Sequence, residues 1–187
     1  MTTRPPARPP ASPPAPSPAR GKKNAGSLKA RRSAARLAAV QTLYQVEIGG
    51  MTAEGALNDF TRHRLADDDG IDYVTAEVDL LAAIVRGASV RLAEIDRIVA
   101  ATLDARTNLE RMETLLRAIL RAGSWELLAQ PETHSRIIIN DYVNVTHAFF
   151  AGREPGMING VLDHVARVLR PDEVARPDPD RIPPPVM

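Results

Sequence analysis

The sequence contains no cysteine, few aromatic residues and no acidic side chain before residue 47. The absence of cysteine excludes disulfides, thiolate metal sites and a cysteine nucleophile, and is typical of a reducing compartment. Aromatic residues make up 4% of the chain against 44% hydrophobic residues, so a core must be mainly aliphatic. The longest apolar run, residues 80–85, is far shorter than the roughly 20 residues of a membrane helix. We therefore expect a soluble, cytoplasmic protein without a membrane partner.

The charge of the chain is divided unevenly along its length. Nine of the 24 basic residues precede Glu47, the first acidic residue, which leaves 15 basic against 23 acidic residues in the remainder. The formal net charge of +1 therefore combines a basic N-terminal end with a body of net charge −8. Such an end attracts polyanions, and nucleic acid is the expected one in a cell. The nine basic residues are Arg4, Arg8, Arg20, Lys22, Lys23, Lys29, Arg31, Arg32 and Arg36.

Proline divides the chain into three parts. Residues 1–26 and 171–187 are rich in proline and lack apolar periodicity, so we expect both to be disordered tails. Between them, residues 27–170 contain only two prolines and should form one domain. Within this domain apolar residues recur three or four positions apart, which predicts seven helices in an all-α fold. The seven stretches are 37–48, 56–60, 74–85, 92–99, 109–128, 138–149 and 158–169.

Local signals predict where several of these helices begin and end. Thr52 and Ser135 are candidate caps for the second and sixth helices, and Pro155 suits the first turn of the seventh. Gly49 and Gly50 are expected to end the first helix. The fifth helix is apolar on more than one face and should be central. An acidic stretch at 67–70 is interpreted as a solvated loop, and residues 137–139 could form an unpaired strand instead of helix.

The sequence carries no recognisable catalytic or metal-binding pattern. It lacks a Gly-rich phosphate loop, a dinucleotide-binding turn and a nucleophile elbow. Its four histidines are never three or four positions apart, so no helix presents a two-histidine metal face. Trp125 lies on the fifth predicted helix and is interpreted as a core residue. We therefore predict a protein that is not an enzyme and needs neither cofactor nor metal.

The first predicted helix begins with a cluster of basic residues. Lys29, Arg32 and Arg36 are three and four positions apart and would form one stripe, with Arg31 beside it. Cations at a helix N-terminus oppose the helix dipole, so helix stability does not explain them. Arginine suits phosphate oxygens and can stack on unpaired bases. Tyr44, two turns further on, could offer a stacking ring. The alternative is an ordinary solvated face, with Tyr44 in the core.

Four segments resemble the NusB transcription antitermination family. They are residues 32–44 (RSAARLAAVQTLY), 119–127 (ILRAGSWEL), 139–143 (INDYV) and 158–167 (INGVLDHVAR). Their order and spacing match the family across about residues 28–170. The resemblance implies a seven-helix fold of two small helical bundles, which agrees with the helix count from the apolar spacing.

The resemblance also implies a function and partners. NusB-like proteins bind boxA, a single-stranded element of nascent ribosomal RNA, together with ribosomal protein NusE. They thereby help RNA polymerase to keep elongating, so the elongation complex is an indirect partner. The sequence leaves open whether the free protein is a monomer or a homodimer that covers this surface.

Several residues take RNA-binding roles through the resemblance. In the family the arginine-rich first helix is the main RNA-contacting element, and Arg32 and Arg36 fall on its arginine positions. Both side chains are therefore expected to be exposed. Ser33 occupies a position that is often basic, and Arg31 is expected to compensate.

Three further positions are assigned in the same way. Arg153 lies in the turn that is near the RNA in relatives and could add a phosphate contact. Met157 replaces an aromatic residue and would stack less well than a ring. Glu110 matches an acidic position implicated in holding NusE.

Two alternatives remain open on sequence grounds. The chain could be a helical protein–protein scaffold that binds RNA without regard to sequence. It could also be related to the NusB-like domain of ribosomal RNA methyltransferases, which would require a cofactor-binding domain after Arg170.

Overall fold

A computed structural model of the protein describes residues 26–66, 75–104 and 107–174. The α-helices are α1 (Leu28–Gly49), α2 (Ala53–Ala66), α3 (Val78–Val90), α4 (Leu92–Thr102), α5 (Thr114–Ala129), α6 (Ser135–His147), α7 (Glu154–Leu169) and α8 (Pro171–Val174). The described residues contain no strand, which confirms the all-α class and rejects a strand at 137–139. The basic residues before residue 26, the stretch 67–70 and the chain after residue 174 lie outside the described residues.

Helix α5 is the centre of the fold. It contacts α1, α3, α4, α6 and α7, while α1 also packs on α2 and α3, and α6 packs on α7. Trp125 of α5 is only 7% exposed, which confirms its assignment to the core. A Cβ atom at Gly87 of α3 would lie 2.0 Å from Trp125 Nε1, so the glycine permits α3 and α5 to approach closely. The central position predicted for the fifth helix is therefore correct.

Three of the predicted helix ends are confirmed. The Gly55 N–H donates to Thr52 Oγ1 at 3.1 Å at the start of α2. Gly50 ends α1 with a φ of 61°, in the left-handed region that glycine adopts without strain. Pro155 lies in the first turn of α7, where its missing N–H costs no helical hydrogen bond.

The predicted cap of α6 was wrong by one residue. His134 is the capping residue, and its Nδ1 accepts a hydrogen bond from the Arg136 N–H at 3.3 Å. Ser135 is the first helical residue and is buried, and its N–H donates to the Glu173 carboxylate at 2.6 Å. The capping preference of serine is overridden here by a tertiary contact.

Two helices begin later than the apolar spacing indicated. Residues 75–77 are not helical, so α3 starts at Val78. A 3-10 turn, Leu109–Arg111, precedes α5, because Met112 and Glu113 have extended backbone angles that interrupt the helix. Leu109 is nevertheless buried and Met112 packs against the core, which explains why the apolar spacing continued through the break.

Helical structure continues to Val174, beyond the boundary predicted at residue 171. The Arg170 guanidinium donates four hydrogen bonds of 2.7 to 3.2 Å to the end of α5 and the turn that follows. The accepting carbonyls belong to Glu126, Leu127, Gln130 and Thr133. Glu173 accepts from Arg170 and from the Ser135 N–H. Burial alone would raise the pKa of Glu173, but these hydrogen bonds lower it below its ordinary value.

Two negative findings concern the described residues. No group of three or more histidine, aspartate or glutamate residues there is placed to hold a metal ion. None of the helices in the same residues is long and apolar enough to cross a bilayer.

Candidate nucleic-acid interface

The first turns of α1 present three cations to solvent. Ser27 caps the helix, with its Oγ accepting from the Ala30 N–H at 3.2 Å. Lys29 is exposed, and Arg31 and Arg32 are half-buried. Within the described ranges, the side chains of Lys29 and Arg31 make no hydrogen bond or ion pair with the protein. Both charges are therefore available to an anion that approaches from outside.

Arg32 is held on one side by the segment before α3. Its Nε donates to Glu77 Oε2 at 3.1 Å, and the two side chains are 43% and 24% exposed. The Glu77 N–H also donates to the Arg31 carbonyl at 3.1 Å, which fixes Glu77 against the first turns of α1. Arg32 thus lies at the surface in a defined position.

Arg36 is buried, which corrects the prediction that it faces solvent. The residue is 1% exposed, and its guanidinium contacts carboxylates of α5 and α6. The Nε donates to both Glu126 oxygens at 3.1 and 3.0 Å, and one terminal nitrogen donates to Asp141 Oδ2 at 2.5 Å. The other terminal nitrogen also pairs with Glu126. Because both carboxylates occupy the guanidinium, Arg36 has no free edge for a phosphate.

Further hydrogen bonds complete this buried network. Tyr142 Oη donates to Glu126 Oε2 at 3.0 Å, and Ser33 Oγ donates to Asp141 Oδ2 at 2.9 Å. Burial alone would lower the pKa of Arg36, but the hydrogen bonds and negative charge of Glu126 raise it above its ordinary value. Burial, with the charge of Glu126, raises the pKa of Tyr142 well above 10. The network therefore fixes α1 against α5 and α6 in its charged form.

Tyr44 lines a groove on the C-terminal half of α1. Its side chain is 38% exposed, and Phe149, which follows α6, is 42% exposed in the same groove. The groove has a volume of about 770 Å³. It is lined by Gln41, Tyr44, Gln45, Ile48, Gly49, Met51, Asp59, Phe60, Glu113, Leu115 and Phe149. Two exposed rings next to amide side chains form a surface on which unpaired bases can stack and hydrogen-bond.

Sequence reasoning missed Phe149 and the two glutamines of this groove. Gln41 and Gln45 share a face of α1 with Tyr44 and Ile48, and this spacing could have identified them. Phe149 was assigned to the apolar stripe of the sixth helix. The structure ends α6 at His147, so Phe149 lies beyond the helix and reaches the surface.

Arg153 and Met157 differ in how much of each reaches solvent. Arg153 precedes the first residue of α7 and is exposed, with no ion pair to any residue that the structure describes. Met157 is partly buried and packs against the hydrophobic core. Arg153 follows Phe149 by four residues, so it belongs to the loop that borders the Tyr44 groove. Met157 offers little free surface for stacking.

Glu110 lies at a second, charged groove of about 820 Å³. Arg117 donates to the carbonyls of Leu109, Glu110 and Met112 at 3.3, 3.1 and 2.7 Å, which fixes the backbone of the 3-10 turn. The Glu110 side chain is exposed and has no partner in the described part of the chain. A rigid backbone therefore carries a carboxylate that is free to pair with an external cation.

Two of the three arginines that line this second groove are paired with carboxylates of the protein, whereas Arg111 is exposed and has no ion pair within the described residues. Arg117 and Arg121 both pair with Glu47 near the end of α1, and Arg121 also pairs with Asp96 through two hydrogen bonds of 2.7 Å. Burial alone would lower the pKa of Arg121, but the hydrogen bonds to Asp96 and Glu47 raise it. The groove is lined by three carboxylates and three arginines, so it does not extend the basic surface of α1.

Both grooves lie at the C-terminal half of α1, away from its basic N-terminal end. The 15 residues from Arg32 to Glu47 correspond to about 22 Å along the axis, at 1.5 Å per residue. Tyr44 is about 18 Å from Arg32 by the same measure. The sequence-predicted residues thus form an N-terminal cation cluster (Lys29, Arg31 and Arg32), a stacking groove around Tyr44, and a separate charged groove at Glu110.

The NusB family profile matches residues 33–167, well over half of the chain. The chain belongs to the NusB family. Curated relatives include the transcription antitermination protein NusB of Maricaulis maris, 42% identical over 154 residues, with 81% of this chain and 96% of that protein covered. The NusB of Nitrobacter hamburgensis is 40% identical over 156 residues, which cover 83% of this chain and 98% of that protein. The chain is accordingly a NusB-type antitermination protein and not an enzyme.

Solved structures support the fold. A Thermotoga maritima (T. maritima) NusB matches with a TM-score of 0.62 and 19% identity, over 76% of this chain and 96% of that one. A NusB crystallised with NusE and double-stranded RNA matches with a TM-score of 0.63 and 20% identity, over 76% of this chain and 99% of that one. These similarities confirm the all-α NusB fold predicted from the sequence.

Proposed function

We propose that this NusB-family protein binds boxA-type RNA of ribosomal RNA transcripts together with ribosomal protein NusE. Through that complex it would act indirectly on the RNA polymerase elongation complex. One observation carries the proposal: the cations Lys29, Arg31 and Arg32 and the Tyr44–Phe149 groove lie along one helix in a chain of this family. The solved NusB–NusE–RNA complex of a related fold supports the choice of partners.

The RNA is expected to contact α1 in two ways. Its phosphates pair with Lys29, Arg31 and Arg32, and unpaired bases stack on Tyr44 and Phe149. Because Tyr44 lies about 18 Å from Arg32 along the helix, one nucleotide cannot reach both. Reaching both requires several nucleotides, and stacking on the rings requires unpaired bases, so the proposed ligand is a single strand. Arg153 is a candidate for one more phosphate contact, whereas partly buried Met157 has only a minor share in stacking.

NusE is expected at the groove beside Glu110. The free carboxylate of Glu110 would pair with a basic side chain of NusE, while Arg117 keeps the local backbone rigid. The proposed NusE surface and the N-terminal cations lie at opposite ends of α1. Phosphates bound at the cation cluster therefore do not compete with NusE for the same surface.

Binding measurements under four conditions test this function. Affinity is measured for a boxA-like RNA and for a scrambled RNA of the same composition, each with and without NusE. We expect boxA-like RNA to bind more tightly and NusE to increase the difference. Equal affinity under all four conditions would defeat the proposal and favour a helical scaffold with nonspecific RNA binding. The molecular mass is followed by light scattering, since a homodimer that covers α1 would make the affinity depend on protein concentration.

Charge removal at α1 gives the first prediction. Arg31→Ala with Arg32→Ala should weaken RNA binding and reduce the slope of log affinity against log salt by about 1.4, since each phosphate contact to a single strand contributes about 0.7. Arg97→Ala, which removes an exposed arginine of α4, is the matched control and should leave the slope nearly unchanged. An unchanged slope in the double variant would exclude these arginines from the interface.

Charge reversal at the second groove gives another prediction. Glu110→Lys should weaken NusE binding with little change in the affinity for RNA alone, because Glu110 belongs neither to the cation cluster nor to the lining of the Tyr44 groove. Glu132→Lys reverses an exposed charge elsewhere and serves as the control. Loss of NusE binding in both variants would mean that overall charge, not the Glu110 site, recruits the partner.

A further inference from the structure

Glu77 uses its carboxylate in an unusual way for a residue that precedes a helix. It is the N-cap residue of α3, and its carbonyl accepts from the Leu81 N–H at 3.0 Å. Its side chain makes no capping hydrogen bond to α3. The carboxylate instead accepts from Arg32 Nε at 3.1 Å, across to α1. A carboxylate whose charge favours the N-terminus of its own helix is thus directed at an arginine of the proposed RNA surface.

The backbone of Glu77 is held against the same part of α1. Its N–H donates to the Arg31 carbonyl at 3.1 Å. This bond limits how far the Glu77 carboxylate can move relative to α1. Glu77 is also the less exposed partner of the pair, at 24% against 43% for Arg32. Glu77, which is the better-fixed side chain, therefore determines the position of the more exposed Arg32.

The contact occupies only one side of the guanidinium. Nε is bonded to Glu77, whereas the two terminal nitrogens of Arg32 have no hydrogen bond to any residue that the structure describes. Those terminal nitrogens can form two parallel hydrogen bonds with a phosphate. Buried Arg36, by contrast, has all its edges occupied by Glu126 and Asp141.

We propose that Glu77 is a positioning residue that holds Arg32 through Nε and leaves its terminal edge directed to an RNA phosphate. The proposal rests on the RNA-binding function proposed above. It assigns to an acidic residue a favourable role on a surface that binds a polyanion. Charge alone would give Glu77 the opposite role, because a carboxylate beside a phosphate repels it.

The expected effect follows from the cost of ordering a long side chain on binding. An arginine already held in place saves part of that cost, so Glu77→Ala should weaken RNA binding by about two- to tenfold. Glu77→Gln keeps an oxygen that can accept from Nε and removes the negative charge. It should bind RNA at least as tightly as the wild-type protein.

A double-mutant cycle with Arg32→Ala separates positioning from general effects on the fold. RNA affinity is measured for the full-length wild type, Glu77→Ala, Arg32→Ala and the double variant. We expect Glu77→Ala to have no effect once Arg32 is absent, because its only route to the RNA is through that side chain. Asp79→Ala is the control: it removes an exposed carboxylate two residues away and should leave affinity unchanged or slightly higher.

Three results would overturn the positioning role. Tighter binding by Glu77→Ala would make Glu77 a competitor of the phosphate. Equal weakening in the presence and absence of Arg32 would make it a purely structural residue, and so would failure of Glu77→Gln to restore affinity. Equal binding of boxA-like and scrambled RNA by the wild type would overturn the proposed function instead. The coupling between residues 77 and 32 is still decisive in that case, because it can be measured on any RNA that Arg32 contacts.

Discussion

Replacing Arg36 with methionine tests the buried network most directly. The substitution retains much of the apolar length of the side chain but leaves Glu126 and Asp141, whose side chains are 0% and 9% exposed, without their cation. Removal of one partner from a buried ion pair costs about 3–5 kcal/mol, and domains are usually stable by about 5–15 kcal/mol. At about 3 °C per kcal/mol for a domain of this size, the Tm should fall by roughly 9–15 °C.

Urea unfolding followed by tryptophan fluorescence provides the assay. Trp125 is the only tryptophan, is buried in the core and adjoins Glu126 in sequence, so its emission reports on the network and on global unfolding. Arg86→Met removes one side of the exposed pair between Arg86 and Glu54 and should hardly change the midpoint. Glu126→Gln combined with Arg36→Met should cost less than the sum of the two single changes, because both act on one interaction.

A specific result would refute this reasoning. If Arg36→Met left the free energy of unfolding within about 1 kcal/mol of the wild type, the effect would be no larger than that of an exposed ion pair. If the same variant also lowered RNA affinity and its salt dependence, Arg36 would have to reach solvent. The interpretation drawn from its spacing with Lys29 and Arg32 would then be correct.

Two further predictions concern stability. Because the pKa of buried Tyr142 is raised, the stability that its neutral form contributes is complete below pH 10, the ordinary tyrosine value, and is lost as pH rises toward the pKa in the folded state. The free energy of unfolding, measured with urea, should therefore fall less between pH 9 and 11 in Tyr142→Phe than in the wild type. An identical fall would show that other groups cause the loss of stability at high pH. Arg170→Ala removes the donor to four carbonyls and should lower the free energy of unfolding by about 1–3 kcal/mol, whereas Arg167→Ala, on the exposed side of α7, should be nearly neutral. Similar midpoints for these two arginine variants would mean that water satisfies the carbonyls.

The helices could be predicted from the sequence because each one buries an aliphatic stripe with helical spacing. α7 is the clearest case, since Ile158, Val161, Leu162 and Val165 are all buried, as their spacing requires. Breaks within a continuous apolar pattern were less visible. The extended backbone before Thr114 leaves the spacing of buried residues nearly intact, so one predicted helix became a 3-10 turn followed by α5.

The site was harder to predict because spacing gives the face of a helix but not its neighbours. Arg36 lies on the predicted stripe with Arg32, yet the partners that bury it are 90 and 105 residues away in sequence. Glu126 and Asp141 lie within two of the family-like segments, and an acidic residue inside an otherwise apolar helix was the available sign of a buried ion pair. Nothing in the spacing indicated that Glu77 would approach Arg32. That contact depends on how α3 is placed beside α1.

The length of α1 has a consequence for assembly. The proposed phosphate site at the N-terminal cations and the proposed partner site beside Glu47 share no surface, so an occupant of one need not displace an occupant of the other. If the partner protein also contacts the RNA strand that is bound at the cations, its contact with that RNA becomes intramolecular. The effective concentration of this contact is then set by the distance of about 22 Å along α1 between the two sites. Two individually weak contacts can then hold one RNA strand firmly, and the loss of either one leaves only the weak affinity of the other.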